Sequence, residues 1–188
     1  MNEQQQQKIE SAVKDILTAV GEDPTREGLI ETPKRVAKMY AEVFSSLNRE
    51  FTNYKVFNSD VQDNGTVIVR DIPFYSMCEH HLLPFFGRVT VAYVPRDGKI
   101  IGLSKIPRLV DFVASRPSVQ ENVTHQIGVQ LDEILHPKGI AVIADARHMC
   151  MEMRGVKKQA GSTKTTYYRG VFKDPTAKRE LLDEIRLS

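Results

Sequence analysis

Three things are scarce in this sequence of 188 residues: cysteine, net charge and long apolar runs. It contains two cysteines and carries a formal net charge of +2. So small a charge, without a basic tail or an RNA-binding aromatic signature, argues against a nucleic-acid partner. No apolar run is long enough to span a membrane, and residues 1–8 are polar and rich in glutamine, unlike a signal peptide. We therefore expect a globular, cytoplasmic protein with no membrane or nucleic-acid partner.

Familiar nucleotide-binding motifs are also missing. There is no Walker A sequence and no G-x-G-x-x-G after a strand, so a phosphate group would need side-chain cations instead. The H-x-E and P-C-x-x-C signature of the zinc deaminases is absent, and no internal repeat is visible. The hydrophobic content of 41% suffices for one well-buried domain with an appended segment.

Both cysteines lie beside histidines, in two short segments that are far apart in the sequence. Thiolates at Cys78 and Cys150 and an imidazole at His81 form a donor set that zinc prefers. No fourth ligand is obvious nearby, and an open coordination position is typical of a catalytic zinc. Reducing conditions favour metal ligation over a disulfide. His80 and His148 flank the ligands and, with ordinary pKa values near 7, are candidates for proton transfer.

Structural roles are the alternative for these residues. An isolated C-x-x-H is a weak signal, and a free cysteine is often a small buried apolar residue. Cys78, His81, Cys150 and one further histidine could also close a tetrahedral structural zinc site, although such sites usually pair segments of similar spacing.

The position of His148 favours a role at the metal. If His148 lies on an extended strand, its side chain points to the same face as that of Cys150, two residues later.

Periodicity divides the chain into an N-terminal helical segment, residues 1–50, and a second domain, residues 51–188. Apolar residues from Ile9 to Val20 recur at helical spacing and are followed by Gly21, which is typical of a helix end. The dipeptide Thr32-Pro33 predicts the cap and first-turn proline of a second helix.

The remaining residues predict the order ββααββ. Runs rich in β-branched and aromatic residues indicate strands at 66–70, 85–94, 139–146 and 164–172. In the second of these, Val89, Val91 and Tyr93 alternate with Arg88, Thr90 and Ala92, which predicts that the first three side chains share one face. Two amphipathic helices lie between the second and third strands, and we expect Ser104 and Ser118 to cap them. Asp174-Pro175 opens a last helix. Strand pairs joined by hairpins, with a helix pair between them, predict an α+β fold with the helices on one face of an antiparallel sheet.

Several motifs in this order resemble those of GTP cyclohydrolase I, and the resemblance runs nearly end to end. They are Cys78-Glu79-His80-His81-Leu82-Leu83-Pro84-Phe85, Ile101-Gly102-Leu103-Ser104-Lys105, Arg116-Pro117-Ser118-Val119-Gln120-Glu121 and His148-Met149-Cys150-Met151. The resemblance implies the tunnelling fold, a zinc enzyme and a homodecamer of two stacked pentamers. It also implies conversion of GTP to 7,8-dihydroneopterin triphosphate with release of formate, the first step of folate or pterin biosynthesis.

The resemblance assigns recognition of guanine to the pair Gln120-Glu121. The guanine N1–H and 2-amino group are both donors, and a carboxylate such as that of Glu121 is a suitable acceptor for them. An alternative role for Glu121 is structural. Ser118-Val119-Gln120-Glu121 is also a capping-box sequence, in which the carboxylate would bind the backbone at the start of its own helix.

The triphosphate needs cationic partners. Ser104, Lys105 and Arg108 lie at the start of a predicted helix, where free N–H groups and the helix dipole favour phosphate oxygens. Arg154 and Arg35 resemble two further phosphate ligands of the family. Each arginine taken singly also fits a solvated surface charge, and in a ring-shaped oligomer such residues could come from a neighbouring subunit.

A related tunnelling-fold enzyme offers another interpretation of the cysteine. In the nitrile reductases that act on a deazapurine, the corresponding thiol is a nucleophile, so Cys78 would attack substrate and neither His81 nor Cys150 would bind a metal. Activity without zinc would distinguish that reaction from zinc-dependent hydrolysis.

Overall fold

The computed structural model describes residues 1–60, 65–158 and 161–187. They form two compact units, Met1–Leu47 and Asn48–Ser188. The helices are α1 (Glu3–Ala19), α2 (Thr32–Val43), α3 (Lys105–Ala114), α4 (Gln120–Leu135), α5 (Met149–Glu152) and α6 (Pro175–Leu187). The strands are β1 (Val56–Asn58), β2 (Val67–Cys78), β3 (Pro84–Val94), β4 (Lys99–Ile101), β5 (Pro117–Ser118), β6 (Gly139–His148) and β7 (Thr163–Gly170). None of the described helices combines the length and apolarity needed to cross a membrane.

The N-terminal unit begins its first helix earlier than the apolar pattern predicts. Asn2 and Gln5 form a capping box, in which the Gln5 amide donates to the Asn2 side chain over 2.9 Å and the Asn2 amide donates to the Gln5 side chain over 2.8 Å. These bonds satisfy two amides that would otherwise lack partners, so the polar start becomes helical. The prediction that Thr32 caps α2 is wrong, because Thr32 is its first residue and Glu31 occupies the cap position.

The second unit contains a sheet of five strands in the order β5-β2-β3-β6-β7. β2, β3, β6 and β7 pair antiparallel, as expected from the hairpin pattern. The prediction of a purely antiparallel sheet fails at β5, which runs parallel to β2 and pairs only with Met77 and Cys78. The short strands β1 and β4 were not predicted; they form a separate antiparallel pair, in which Val56 lies opposite Ile101.

Helices cover both faces of the sheet, and not one face as predicted. On one face, α3 and α4 pack on a core that includes Val89, Val91 and Tyr93, the inward residues of the alternating pattern in β3. Ala92 points the other way, yet it is also buried, in a second cluster with Ala141, Phe172 and Leu181. The reason is that the 3₁₀ turn Val171–Lys173 and helix α6 fold back over that face, burying apolar surface there as well.

Close packing sets the position of α4 against the sheet. Gly128 faces β7, and a Cβ at this position would overlap the ring of Tyr167. The missing side chain therefore lets the helix approach the strand closely. Because α4 begins at Gln120, this contact also places the start of the helix beside the ends of the central strands.

The predicted caps Ser104 and Ser118 also behave differently from the expectation. Ser118 lies in β5 and its Oγ donates to the Val119 carbonyl over 3.2 Å, while Val119 occupies the cap position of α4. Ser104 precedes α3 at the cap position but makes no side-chain cap bond. Asp174 does cap α6, because its Oδ1 accepts from the amides of Thr176 and Ala177, both over 3.0 Å.

Candidate active site

Three side chains that can serve as metal ligands meet at one end of the β2–β3 hairpin, and we call them the metal-binding cluster. Cys78 is the last residue of β2, His81 lies in the turn before β3, and Cys150 lies in α5. One donor atom from each lies within 4.8 Å of the other two. The turn is tight because the Leu82 amide donates to the Cys78 carbonyl over 2.8 Å and the Cys78 amide donates to the Leu83 carbonyl over 2.8 Å.

The chemistry of this cluster fits zinc. Two thiols and one imidazole are zinc donors, and Cys78 is only 5% exposed. Burial raises the pKa of the Cys150 thiol, and its hydrogen bond with Cys78 raises it further. The Cys150 thiol therefore resists ionisation unless a cation compensates the charge, which a divalent metal would do. Cys78 is so little exposed that an external substrate has poor access to its thiol.

Arg154, which the family resemblance suggests as a phosphate ligand, lies beside this cluster. Its Nη1 lies 2.7 Å from Nε2 of His81. Its positive charge also lowers the pKa of the Cys150 thiol, although burial of that thiol has the larger, opposite effect. Arg154 is itself exposed, so its guanidinium can reach a molecule in solution.

His148 ends β6 at the same end of the sheet. Its ring stacks on Phe85 with the centroids 4.9 Å apart, and its Nε2 lies 2.8 Å from Oε1 of Gln120. Burial lowers its pKa, while the carboxylates of Glu121 and Glu152 oppose that shift. The lowered pKa favours the neutral imidazole, the form that can accept a proton.

The strand argument that linked His148 to Cys150 is wrong. The chain leaves the extended conformation after His148 and turns into α5, so alternation along a strand does not relate the two side chains. An ion pair holds this turn: Arg147 binds both carboxylate oxygens of Glu152, over 3.0 and 2.6 Å. Arg147 and Glu152 were not identified from sequence, since a spacing of five residues is not a regular helical or strand pairing.

Gln120 and Glu121 begin α4, and their side chains differ in access to solvent. Gln120 is 1% exposed and its amide is bonded within the protein, whereas Glu121 is exposed. The capping box does not form, because Val119 occupies the cap position and makes no side-chain cap bond. The Glu121 carboxylate is thus not used as a cap, and it is close enough to His148 to act on the pKa of that ring.

His80 is exposed beside the three potential metal ligands. Its side chain is 63% exposed, and its Nε2 lies 3.9 Å from a carboxylate oxygen of Glu79. Its ring meets that of His81 edge to face, with centroids 6.2 Å apart. His80 is therefore next to the metal-binding cluster and open to a substrate.

The chain does not bring the other predicted phosphate ligands to this cluster. Ser104, Lys105 and Arg108 follow β4, whose Ile101 amide lies 3.3 Å from the Tyr93 hydroxyl. Tyr93 pairs with Val67, at the opposite end of β2 from Cys78. Helix α3 then runs from Lys105 back to Ala114, whose carbonyl accepts from Ser76 near Cys78, so at about 1.5 Å per residue Lys105 lies roughly 14 Å along the helix axis from that end. Lys105 binds Asn53 instead, over 2.8 Å.

Arg35 belongs to the N-terminal unit. It is exposed on α2, the second helix of that unit. Its predicted role in phosphate binding stays a prediction.

Comparison with known proteins identifies the family. A sequence profile described as GTP cyclohydrolase I matches residues 9–186. GTP cyclohydrolase 1 of Lactiplantibacillus plantarum (strain ATCC BAA-793 / NCIMB 8826 / WCFS1) is 57% identical over 98% of both chains. The bifunctional protein FolKE of Lactococcus lactis subsp. lactis (strain IL1403) is 60% identical over 95% of this chain, which spans about half, 52%, of that protein.

Among solved structures, the archaeosine synthase QueF-Like in its apo form has a TM-score of 0.46 and 16% identity, covering 57% of this chain and 95% of that chain. That likeness is too weak to carry an argument. The profile match and the relative of equal length are sufficient: the chain belongs to the GTP cyclohydrolase I family of enzymes.

Proposed function

We propose that this enzyme hydrolyses GTP at C8 of the guanine, releases formate and forms 7,8-dihydroneopterin triphosphate. The single observation that supports it most directly is the convergence of Cys78, His81 and Cys150 within 4.8 Å, at the end of the sheet where His148 and the exposed Glu121 also lie. Zinc held by the three ligands would activate water for attack at neutral pH. The ligands require reduced thiols, consistent with a cytoplasmic enzyme.

The histidines are proposed to move protons. Opening the imidazole ring of guanine requires a proton for a ring nitrogen and a base for the attacking water. Burial lowers the pKa of His148, which favours the neutral ring that can accept a proton. His80 is exposed beside the cluster and can exchange protons with solvent or substrate.

Glu121 is proposed to read the guanine. Its carboxylate is exposed and makes no cap bond, so both oxygens are available to the N1–H and 2-amino donors of the base. Because the Glu121 carboxylate acts on the pKa of His148, the edge of the guanine that Glu121 binds would lie close to the His148 ring.

The triphosphate site is proposed to combine two chains. Arg154 lies at the metal-binding cluster, whereas Lys105 and Arg108 lie at the far end of the hairpin in the same chain. Ser104, Lys105 and Arg108 of a neighbouring copy would therefore complete the site, with Arg35 as a further candidate. Among the described residues, β7 pairs only with β6, and β2 pairs with β5 at two residues, so both edges of the sheet can accept another copy. A decamer of two stacked pentamers would use these edges.

Turnover tests the proposal. Purified, zinc-loaded protein is incubated with GTP, and formate and a fluorescent pterin are measured after oxidation. We expect both products in equal amounts, and neither from Cys150→Ser. Formate without pterin would mean that the ring opens without the rearrangement. Equal activity of metal-free protein would contradict zinc-dependent hydrolysis and support a thiol mechanism.

A further inference from the structure

The amide of Gln120 is buried among groups that determine its orientation. Its Nε2 lies 2.8 Å from the Thr163 carbonyl, 3.2 Å from the Ala144 carbonyl and 3.1 Å from the Thr165 hydroxyl. Backbone carbonyls only accept hydrogen bonds, so the atom that faces them must be the NH₂ group. The other amide atom, Oε1, is therefore the one that faces His148.

This orientation determines which nitrogen of His148 carries a proton. The Gln120 oxygen has no hydrogen to give, and it lies 2.8 Å from Nε2 of His148. Nε2 must then be the N–H donor, and in the neutral ring Nδ1 keeps the lone pair. A chain of hydrogen bonds thus runs from His148 through Gln120 to backbone carbonyls of β6 and β7.

Phe85 holds the ring in the remaining direction. It lies directly opposite His148 in the β3–β6 pairing, and the two rings are within 3° of parallel. Stacking on Phe85 fixes the plane of the imidazole. The Gln120 bond selects one of the two ring orientations that a flip about the Cβ–Cγ bond would exchange, since the flipped ring would place a carbon where Nε2 lies. The Phe85 stack and the Gln120 bond together give Nδ1 a single orientation.

We propose that Gln120 is a positioning residue, and not the guanine contact that the family resemblance implies: it presents His148 with Nδ1 as the proton acceptor, and its side chain does not contact substrate. The tautomer assignment stands on the contacts alone, while its effect on turnover rests on the proposed function of His148. A partner that orients a functional imidazole in this way typically changes activity by about ten- to a hundredfold.

Ring-nitrogen NMR tests the assignment without GTP. Zinc-loaded protein labelled with ¹⁵N in histidine is measured by solid-state NMR at about pH 8, where imidazoles are neutral. The His148 signals are identified by their loss in His148→Ala. We expect a protonated Nε2 and a lone pair at Nδ1. The opposite tautomer in wild-type protein would overturn the proposal, whatever the enzyme does with GTP.

Kinetics of two buried variants test the consequence. Gln120→Met keeps the volume but removes the acceptor, and we expect kcat to fall about ten- to a hundredfold with little change in the KM for GTP or in zinc content. The control is Thr124→Val, which is similarly buried and loses its bonds to the Gln120 carbonyl and Thr165, yet leaves the His148 contact in place. It should keep nearly full kcat.

Two outcomes of these kinetics would contradict the proposal. A raised KM with normal kcat in Gln120→Met would make the Gln120 side chain a substrate contact. Equal loss of kcat in both variants would mean that general packing around the start of α4, and not the His148 bond, matters. If neither wild type nor variant converts GTP, the proposed function fails while the NMR result still decides the tautomer.

Discussion

Nη1 of Arg154 lies 2.7 Å from Nε2 of His81. A guanidinium has donors and no acceptor, so Nε2 of His81 must accept, and the ring is neutral with its proton on Nδ1. In this arrangement Nε2 carries the one ring lone pair of the neutral imidazole. A metal ion held by His81 would compete with Arg154 for that lone pair and would release the arginine for another anion, such as a phosphate.

Removing Arg154 should separate metal binding from phosphate binding. In Arg154→Ala the competitor for His81 is lost, so zinc affinity, measured by competition with a chelator, should be equal to or tighter than that of wild type. The KM for GTP should rise about tenfold or more, because a charged hydrogen-bond partner is lost. Arg154→Lys, which keeps the charge, should show a smaller rise. Loss of zinc in Arg154→Ala would show that the arginine supports the cluster.

Both cysteines should be required for the metal. We expect about one zinc per chain in wild type, and a large loss in Cys78→Ser and in Cys150→Ser, measured by elemental analysis after dialysis. His125→Ala is a suitable control, because His125 packs against Tyr167 away from the ligand set. Unchanged zinc in either cysteine variant would remove that cysteine from the ligand set.

Glu121→Gln should affect recognition of the base and leave stability nearly unchanged. The residue is exposed and makes no cap bond, so the free energy of unfolding should change by less than about 0.5 kcal/mol. Wild type should prefer GTP strongly over ITP, which lacks the 2-amino group, because an unpaired acceptor is costly. Equal preference in the variant and in wild type would exclude Glu121 from guanine recognition.

Chains that carry different defects should complement each other. Lys105→Ala and Cys150→Ser should each be inactive or nearly so. If one site uses Cys150 of one copy and Lys105 of a neighbour, random co-assembly in equal amounts should restore about a quarter of the sites. The matched control mixes Cys78→Ser with Cys150→Ser, which lie in one cluster of one chain and should not restore activity. No gain from the first mixture would place both residues in the same chain.

Acid should weaken the ion pair that holds α5. The hydrogen bonds from Arg147 lower the pKa of the Glu152 carboxyl. A lowered folded-state pKa means that the pair stabilises the fold above the ordinary carboxyl pKa of about 4.3, and that this contribution disappears as the pH falls through the lowered value. Glu152→Gln should therefore unfold more easily than wild type at neutral pH, and the difference should vanish in acid. A constant difference at every pH would show that packing, not charge, is lost.

Much of the fold follows from local patterns. Alternation in β3 predicted the buried Val89, Val91 and Tyr93, and the Asp174 cap predicted the start of α6. Both features depend on residues that are close together in the sequence, so the sequence alone can predict them. Donor chemistry also predicted Cys78, His81 and Cys150 as a set of metal ligands, and the structure brings these residues together.

Contacts between distant segments decided the rest. Sequence could not show that α6 covers the second face of the sheet, because an amphipathic helix does not state which surface it buries. The capping box at Ser118 matched its pattern but failed, since pairing of β5 with β2 moved the helix start to Gln120. A capping motif does not form when strand pairing uses the same residues.

The same division holds for the site. Sequence determined the kinds of side chain: thiols and imidazoles for a metal, carboxylate for a base, cations for phosphate. Tertiary structure decided their geometry: Gln120 faces His148 and not open space, Arg154 binds His81, and Lys105 lies far from the cluster within its own chain. Residue type fixes which atoms can donate, accept or carry charge, whereas the direction and distance of those atoms depend on how separate strands and helices pack.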